Sequence, residues 1–233
     1  MQEQTLGILM LETRFPRIPG DVGSPETFPF PVQKRVVVGA STQRVVIEGA
    51  PALLAPFLEG ARELEAAGVS AITTSCGFLA KFQKELAAQV HVPVFTSSLL
   101  QVSLVYHQLP AGKIVGIMTS SGQTLTEDHF RGVGIEAIPK VVYGLDHTHF
   151  NHIFVGDNTD LNVQQAKEDM VSVARRMTKE HPEVGAIVLE CTNMPPYAQA
   201  VAQAVGLPVY DITTLASYVM AGLQTSPQPW SIV

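Results

Sequence analysis

The chain predicts an α/β fold of two pseudo-symmetric lobes, each a parallel sheet flanked by helices, with a cleft between them. Three observations predict it. Short apolar runs alternate with helical patterns along the whole length, the order that builds parallel sheets covered on both faces through right-handed crossovers. An internal repeat divides the chain: Val69, Ala71, Ile72 and Cys76 recur as Val184, Ala186, Ile187 and Cys191 at one constant offset. The register continues without a gap, Val90, Pro93 and Val94 recurring as Val205, Pro208 and Val209, with Phe95 answered by Tyr210. Upstream, Leu6-Gly7-Ile8-Leu9-Met10 matches Val115-Gly116-Ile117-Met118 more loosely, a slip that loop insertions explain. Self-similarity at half the chain length implies two copies of one α/β unit, since solenoid repeats are far shorter. Residues 1–98 are expected to form the first lobe and 99–211 the second, with the closing segment 212–233 packing back on the first.

Each element has its own justification. Thr5 to Leu11 is a short continuous apolar run, the signature of a buried strand. Glu12 to Pro31 holds five prolines and two glycines, which excludes helix and central strand; so long a connection is read as a lid or site wall, with a subunit contact or a plain connector as the alternatives. Arg35–Val38 and Arg44–Ile47 are β-branched and read as strands or irregular segments. Pro51–Ala67 has helical spacing, with Leu54, Phe57, Leu58, Ala61 and Leu64 on one face and Gly68 as its stop. Val69–Thr74 is a strand, Phe78–Ala88 a helix, Val92–Thr96 a strand and Leu99–Gln108 a helix. The pattern restarts with a strand at Lys113–Met118, a helix at Leu125–Gly132 and a strand within Gly134–Val142. Asn162–Lys179 is a long amphipathic helix with Val163, Ala166, Met170, Val173, Ala174 and Met177 inward. Gly185–Leu189 and Leu207–Asp211 are strands; Tyr197–Val205 and Leu215–Leu223 are helices.

Composition narrows the function classes. With 46% apolar and only 15% charged residues, the chain is not disordered, and 233 residues suffice to bury real cores. A net charge of −6 without a basic run argues against nucleic acid. No apolar segment approaches membrane-spanning length, and Leu6–Leu11 is too short, with Glu3 before it, to act as a secretion signal. A cytoplasmic location is therefore expected, where the two cysteines stay reduced. Neither G-x-G-x-x-G nor G-x-x-x-x-G-K-[ST] occurs, so no nucleotide cofactor is expected. The partners expected are small acids.

Cys76 and Cys191 each end a strand pattern and start a helical one, and ligands of open parallel sheets gather at such carboxyl ends. A thiol ionises near about pH 8.5 in the open, and the N–H groups at a helix start favour the thiolate. The same groups hold anionic oxygen, which makes Gly77, Phe78, Thr192 and Asn193 two small anion sites beside the sulfurs. If the lobes face each other, one sulfur removes a proton from a tetrahedral carbon while the other returns one to the far face, which is two-base racemisation or epimerisation. The bland alternative is that each cysteine packs as a small hydrophobe.

The segments Thr74-Ser75-Cys76-Gly77-Phe78 and Leu189-Glu190-Cys191-Thr192-Asn193-Met194-Pro195 resemble the two cysteine signatures of the aspartate/glutamate racemase superfamily, which includes hydantoin racemases, arylmalonate decarboxylases and maleate isomerases. The resemblance covers nearly the whole chain. It implies an active site in the interlobe cleft, cofactor-independent chemistry at the carbon next to a carboxylate, catalytic roles for Cys76 and Cys191, and an isomerase acting on aspartate, glutamate or a related amino acid. Decarboxylase members resemble this pattern with a single catalytic cysteine, so the retained pair favours racemisation. Asn193 stands where glutamate racemases carry histidine, and Glu190, beside the second sulfur, would raise its pKa if the carboxylate is near. A hydantoin racemase and a maleate isomerase or arylmalonate decarboxylase-like enzyme are the alternatives; a two-lobed small-acid binding protein is the non-enzyme alternative.

Other candidate substrate contacts are Ser75, Arg14, which follows the first strand and suits a bidentate carboxylate pair, and Thr119, Ser120 and Ser121 at the end of the matching strand of the second lobe. An exposed loop arginine and a helix cap are the competing readings. His147, His149 and His152 crowd one segment without companion acids beyond Asp146, so no metal site is assigned, and a surface or interface loop is preferred. This segment and the proline-rich loop are the candidates for a homo-oligomer contact.

Overall fold

The computed structural model describes residues 4–49 and 51–224. Strands β1 (Leu6–Met10), β2 (Val32–Val36), β3 (Ala71–Thr74) and β4 (Val94–Phe95) form one parallel sheet in the order β2-β1-β3-β4. Strands β5 (Ile114–Thr119), β6 (Lys140–Gly144), β7 (Val184–Leu189) and β8 (Val209–Tyr210) form a second in the order β6-β5-β7-β8. The two orders are the same topology twice, so the sequence repeat is a repeat of structure. Each cysteine lies two residues beyond the end of an interior strand, Cys76 after β3 and Cys191 after β7.

Helices α1 (Leu54–Ala66), α2 (Gln83–Ala87), α3 (Gln101–Gln108), α4 (Glu127–Val133), α5 (His149–Phe154), α6 (Val163–Glu180), α7 (Ala198–Val205) and α8 (Ile212–Gln224) cover the sheets. Strand alternation sorts the side chains. Leu9 and Ile72 of the first sheet and Val115, Ile117, Ala186 and Val188 of the second share one central core with Phe57 and Leu64 of α1 and Val102 and Val105 of α3. Leu6, Ile8, Met10 and Ala71 face the other way, onto Ile212, Leu215, Ala216 and Met220 of α8. The closing helix thus packs on the first sheet as far as Gln224; residues 225–233 of the expected segment lie outside the described residues. On the outer face of the second sheet, Met118, Ile187 and Leu189 meet α5, α6 and α7. The path of α6 explains Gly116, where a Cβ would strike the end of Met177.

Several expectations need correcting. Arg44–Ile47 is not a strand: Gln43–Ile47 is a π-helical turn, closed by Glu48 N–H to Gln43 O at 3.0 Å. Val45 and Val46 are both buried, and adjacent residues on one side fit a helical turn, not the two-residue period of a strand. The strand expected at 35–38 runs from Val32 to Val36, leaving Val38 75% exposed. Val163 is not inward; it starts α6 beside the Asn162 cap and is half exposed, while Ala166, Met170, Val173, Ala174 and Met177 form the buried stripe. The helix expected at 78–88 splits into a 3₁₀ segment, Gly77–Phe82, and the short α2. Among the described residues, no helix is long and apolar enough to cross a membrane.

Candidate active site

Parallel strand ends bring the two cysteine loops together. The Thr192 hydroxyl donates to Ser75 O at 2.7 Å, tying the β3 and β7 ends directly, and the Ser98 hydroxyl, beyond β4, donates to Leu189 O at 2.6 Å. Replacing Thr192 by valine leaves the buried Ser75 carbonyl without that donor and is expected to cost about 1–3 kcal/mol, read as a lower urea midpoint at unchanged slope.

Both sulfurs line one cavity of about 20 Å³, with Ser75, Gly77 and Phe78 on the first side and Ser120, Glu190, Thr192 and Asn193 on the second. Leu11, Phe15, Thr42, Val46, Phe154 and Val155 close it. A space of this size holds about one water, so a carbon acid is admitted only when the wall moves.

The closed site favours the neutral thiol at both positions. Burial, then the charge of Glu190, pushes Cys76 up to about 12, against the Phe78 N–H and the more distant Lys81 and Arg17. Cys191 is raised well above its ordinary value by the same two causes in the same order, opposed by the Asn193 N–H and the Ser120 hydroxyl. This corrects the expectation of lowered thiol pKa values. The sulfurs precede short 3₁₀ turns, Gly77–Phe82 and Pro195–Tyr197, whose few aligned N–H groups do not outweigh desolvation. The N–H groups do sit where the repeat predicts, two residues after each cysteine, and only Cys76 has cations helping it to ionise.

Glu190 is the centre of the electrostatics. Fully buried, it accepts from the Thr119 hydroxyl at 2.7 Å through Oε2, while Oε1 has no hydrogen-bond partner among the described residues. Burial raises its pKa to about 7, with the Thr119 bond pulling the other way. Gly77 is required here by close approach, because a Cβ would overlap the Glu190 carboxylate and carbonyl. At Asn193, the side-chain oxygen receives the Cys191 thiol at 3.4 Å and the side-chain nitrogen donates to Asp21 at 2.5 Å. Asp21 is in turn paired with Arg17 at 2.8 Å. The proline-rich loop is therefore a site wall, and its Asp21 holds the side chain that stands in place of a histidine.

The other expected contacts divide. Ser75, Gly77, Phe78, Ser120, Thr192 and Asn193 line the cavity. Thr119 and Ser121 do not: the first is bound to Glu190, and the second donates to Asp146 at 3.0 Å. Arg14 is also outside, its side chain 74% exposed and bound to Asp157 through Nε at 3.1 Å. His149 accepts from the Asn162 N–H at 2.9 Å, and among the described residues no group of three His, Cys, Asp or Glu could hold a metal ion. Phe15, Thr42, Phe154, Val155, Arg17 and Asp21 were not anticipated; an arginine four residues before an aspartate inside a proline-rich loop was the one visible signal for a held wall.

Arg14 instead clamps the lobes. Its backbone N–H also donates to Asp157 Oδ1 at 2.6 Å, Asp157 has a left-handed backbone at φ 53°, and the Thr42 hydroxyl donates to Val155 O at 3.0 Å. An exposed pair of this kind contributes no more than about 1 kcal/mol. Replacing Asp157 by glycine, which accepts positive φ, is expected to leave the melting temperature nearly unchanged and to speed alkylation of the two buried thiols by up to about fivefold. Iodoacetamide labelling followed by mass spectrometry reads this.

The comparisons agree with this architecture. A sequence model of the family described as Asp/Glu/Hydantoin racemase matches residues 37–217. The dimethylsulfoniopropionate lyase of Durusdinium sp. clade D is 31% identical over 98% of this chain and 78% of its own length. Dimethylsulfoniopropionate lyase 7 of Emiliania huxleyi (strain CCMP1516) is 31% identical over 96% of this chain and 68% of its own. Lyase 5 of the same strain is 30% identical over 95% of this chain, which spans only 46% of that protein. Among solved structures, allantoin racemase from Klebsiella pneumoniae superposes with a TM-score of 0.66 at 16% identity, covering 98% of this chain and 90% of that one. Unliganded arylmalonate decarboxylase superposes at 0.61 and 14%, covering 98% and 97%. At such identities the structures speak for the fold alone. The family match over most of the chain carries the assignment, and the chain belongs to the Asp/Glu/Hydantoin racemase family.

Proposed function

We propose that this chain is an enzyme that removes a proton from the carbon next to a carboxylate with a cysteine thiolate, and that its reaction is the β-elimination of a sulfonium carboxylate of the dimethylsulfoniopropionate type. The observation that carries the first statement is the pair of sulfurs lining one cavity. The second draws on the relatives, which carry that activity in their names and align over nearly the whole chain.

The chemistry is economical in groups. A thiolate takes the Cα proton, the freed electron pair becomes the Cα–Cβ double bond, and the Cβ–S bond breaks. Dimethyl sulfide and acrylate leave, and the proton stays on the cysteine until solvent takes it. The N–H groups of Phe78 and Asn193 and the Ser120 hydroxyl already face the sulfurs, so the carboxylate can be oriented beside them. Of the two thiols, Cys76 has the Lys81 and Arg17 fields in its favour and is the better candidate for the base; Cys191, donating to Asn193, is held as a neutral thiol.

Racemisation of an amino acid such as aspartate or glutamate is the second reading, favoured by the retention of both cysteines in one cavity. It shares the first step and differs in the second, where the other thiol returns a proton to the far face. Purified protein incubated with dimethylsulfoniopropionate, and separately with L-amino acids and hydantoins in deuterated water, separates them. Equal amounts of dimethyl sulfide and acrylate support elimination; inversion with Cα deuterium and no sulfide release overturns it in favour of racemisation.

A further inference from the structure

The cavity has no lysine or arginine in its lining. What it does have is a buried carboxyl group with an oxygen that bonds to nothing among the described residues, and three phenylalanines. Phe15 and Phe154 meet edge to face at 5.0 Å, with the Arg17 guanidinium over the Phe15 ring at 4.8 Å; Phe78, next to Cys76 in the chain, lines the cavity with its ring edge to face with His129. A buried carboxylate oxygen left unpaired is costly unless a ligand completes it. Aromatic faces attract a desolvated cation, most of all one whose charge is spread over methyl groups and cannot accept water in exchange. A buried acidic oxygen and aromatic walls both favour a positive group, and the elimination reading makes that group a methylated onium.

We infer that Glu190, with Phe154, is the specificity-determining element of this site and selects substrates carrying a methylated onium group, sulfonium or quaternary ammonium, over uncharged or acidic ones. The inference rests on the elimination reading for its choice of onium and deepens it, since it assigns the discrimination to named residues. Glu190 also acts on the chemistry through its place between the thiols: a cation against its carboxylate cancels the charge that raises both sulfurs, so the bound substrate promotes ionisation of its own base.

The test is binding, so that it does not depend on turnover. Calorimetry compares β-trimethylammoniopropionate with its uncharged tert-butyl counterpart, which has the same shape and carboxylate, on wild type, Glu190→Gln and Phe154→Leu. Wild type is expected to prefer the onium ligand, Glu190→Gln to lose about tenfold or more of that preference, and Phe154→Leu to lose several-fold with the tert-butyl affinity nearly unchanged. Equal affinity of wild type for the two ligands, or an unaltered preference in both variants, overturns the inference. Sulfide release from dimethylsulfoniopropionate is measured on the same wild-type sample. Release with no onium preference refutes the role of Glu190 and leaves the lyase reading standing; onium preference lost in Glu190→Gln, without release, does the reverse. Should Glu190→Gln fail to fold, Phe154→Leu decides alone.

Discussion

Replacing either Cys76 or Cys191 by alanine is expected to lower kcat by about a thousandfold or more, while the protein stays folded. A buried cysteine is a small hydrophobe, so removing its sulfur costs about 1 kcal/mol of stability, far below what unfolds a two-sheet domain. What disappears is the acid–base group. Serine is the sharper substitute, because it fills nearly the same space but its hydroxyl does not ionise in this pH range. Elimination needs one thiolate; racemisation needs a thiolate and, facing it, a thiol. In the first case Cys76→Ser is expected to be inactive, with Cys191→Ser keeping a trace; in the second, both lose inversion and one retains Cα proton exchange. Because burial and Glu190 hold both thiols above neutrality, kcat/KM is also expected to rise with pH through the neutral range. Rates of both variants from pH 6 to 9, with circular dichroism as the folding control, read all of this; full turnover in a variant would return that cysteine to the role of packing.

Glu190→Gln is expected to produce the largest change in the pH dependence of stability. The Glu190 pKa is about 7 in the folded chain against an ordinary value of 4.5, so the folded state holds a proton that the unfolded state has released. Its contribution is fully present below pH 4.5, is lost as pH rises towards 7, and amounts to about 3 kcal/mol. His129 works in the opposite sense. Buried on the inner side of α4, with Nδ1 accepting from the Thr126 N–H at 3.0 Å, it has a pKa lowered by burial from 6.5 to about 4, so it withdraws stability as pH falls through that interval. The two slopes nearly cancel in the wild type between pH 4.5 and 6.5. In Glu190→Gln the His129 slope stands alone, and the variant is expected to gain on the wild type as pH rises, up to about 3 kcal/mol above pH 7. Denaturant midpoints at pH 5 and pH 8 give the comparison; parallel curves at the two pH values would contradict a buried, proton-holding Glu190.

How far the sequence announces this structure depends on how local the determining interactions are. Strands such as Leu6–Met10 and Val184–Leu189 are legible because a parallel strand buried on both faces is a continuous apolar run bounded by turns. The paired sulfurs are legible because the repeat places them at equivalent strand ends. The sign of their pKa change is only half legible: Glu190 stands next to Cys191 in the chain, but burial and the approach of its carboxylate to Gly77, beside Cys76, come from across the repeat. Arg14 misleads for the same reason. Its position after the first strand suits a substrate contact, but Asp157, which holds it, comes from the far lobe, 143 residues on. Phe15 and Phe154, which close the cavity, sit in segments whose sequence shows only proline or histidine. Local patterns carried the scaffold, and long-range packing decided which side chains reach the cavity.

The central claim is that two sulfurs share one ligand and that one of them moves its α-proton. A ligand that cannot lose its leaving group easily isolates that step. β-Trimethylammoniopropionate in deuterated water, followed by proton NMR, is predicted to lose its Cα–H signal with wild-type protein and to keep it with the Cys76→Ala/Cys191→Ala double variant. Exchange that continues in the double variant at the wild-type rate would contradict the account.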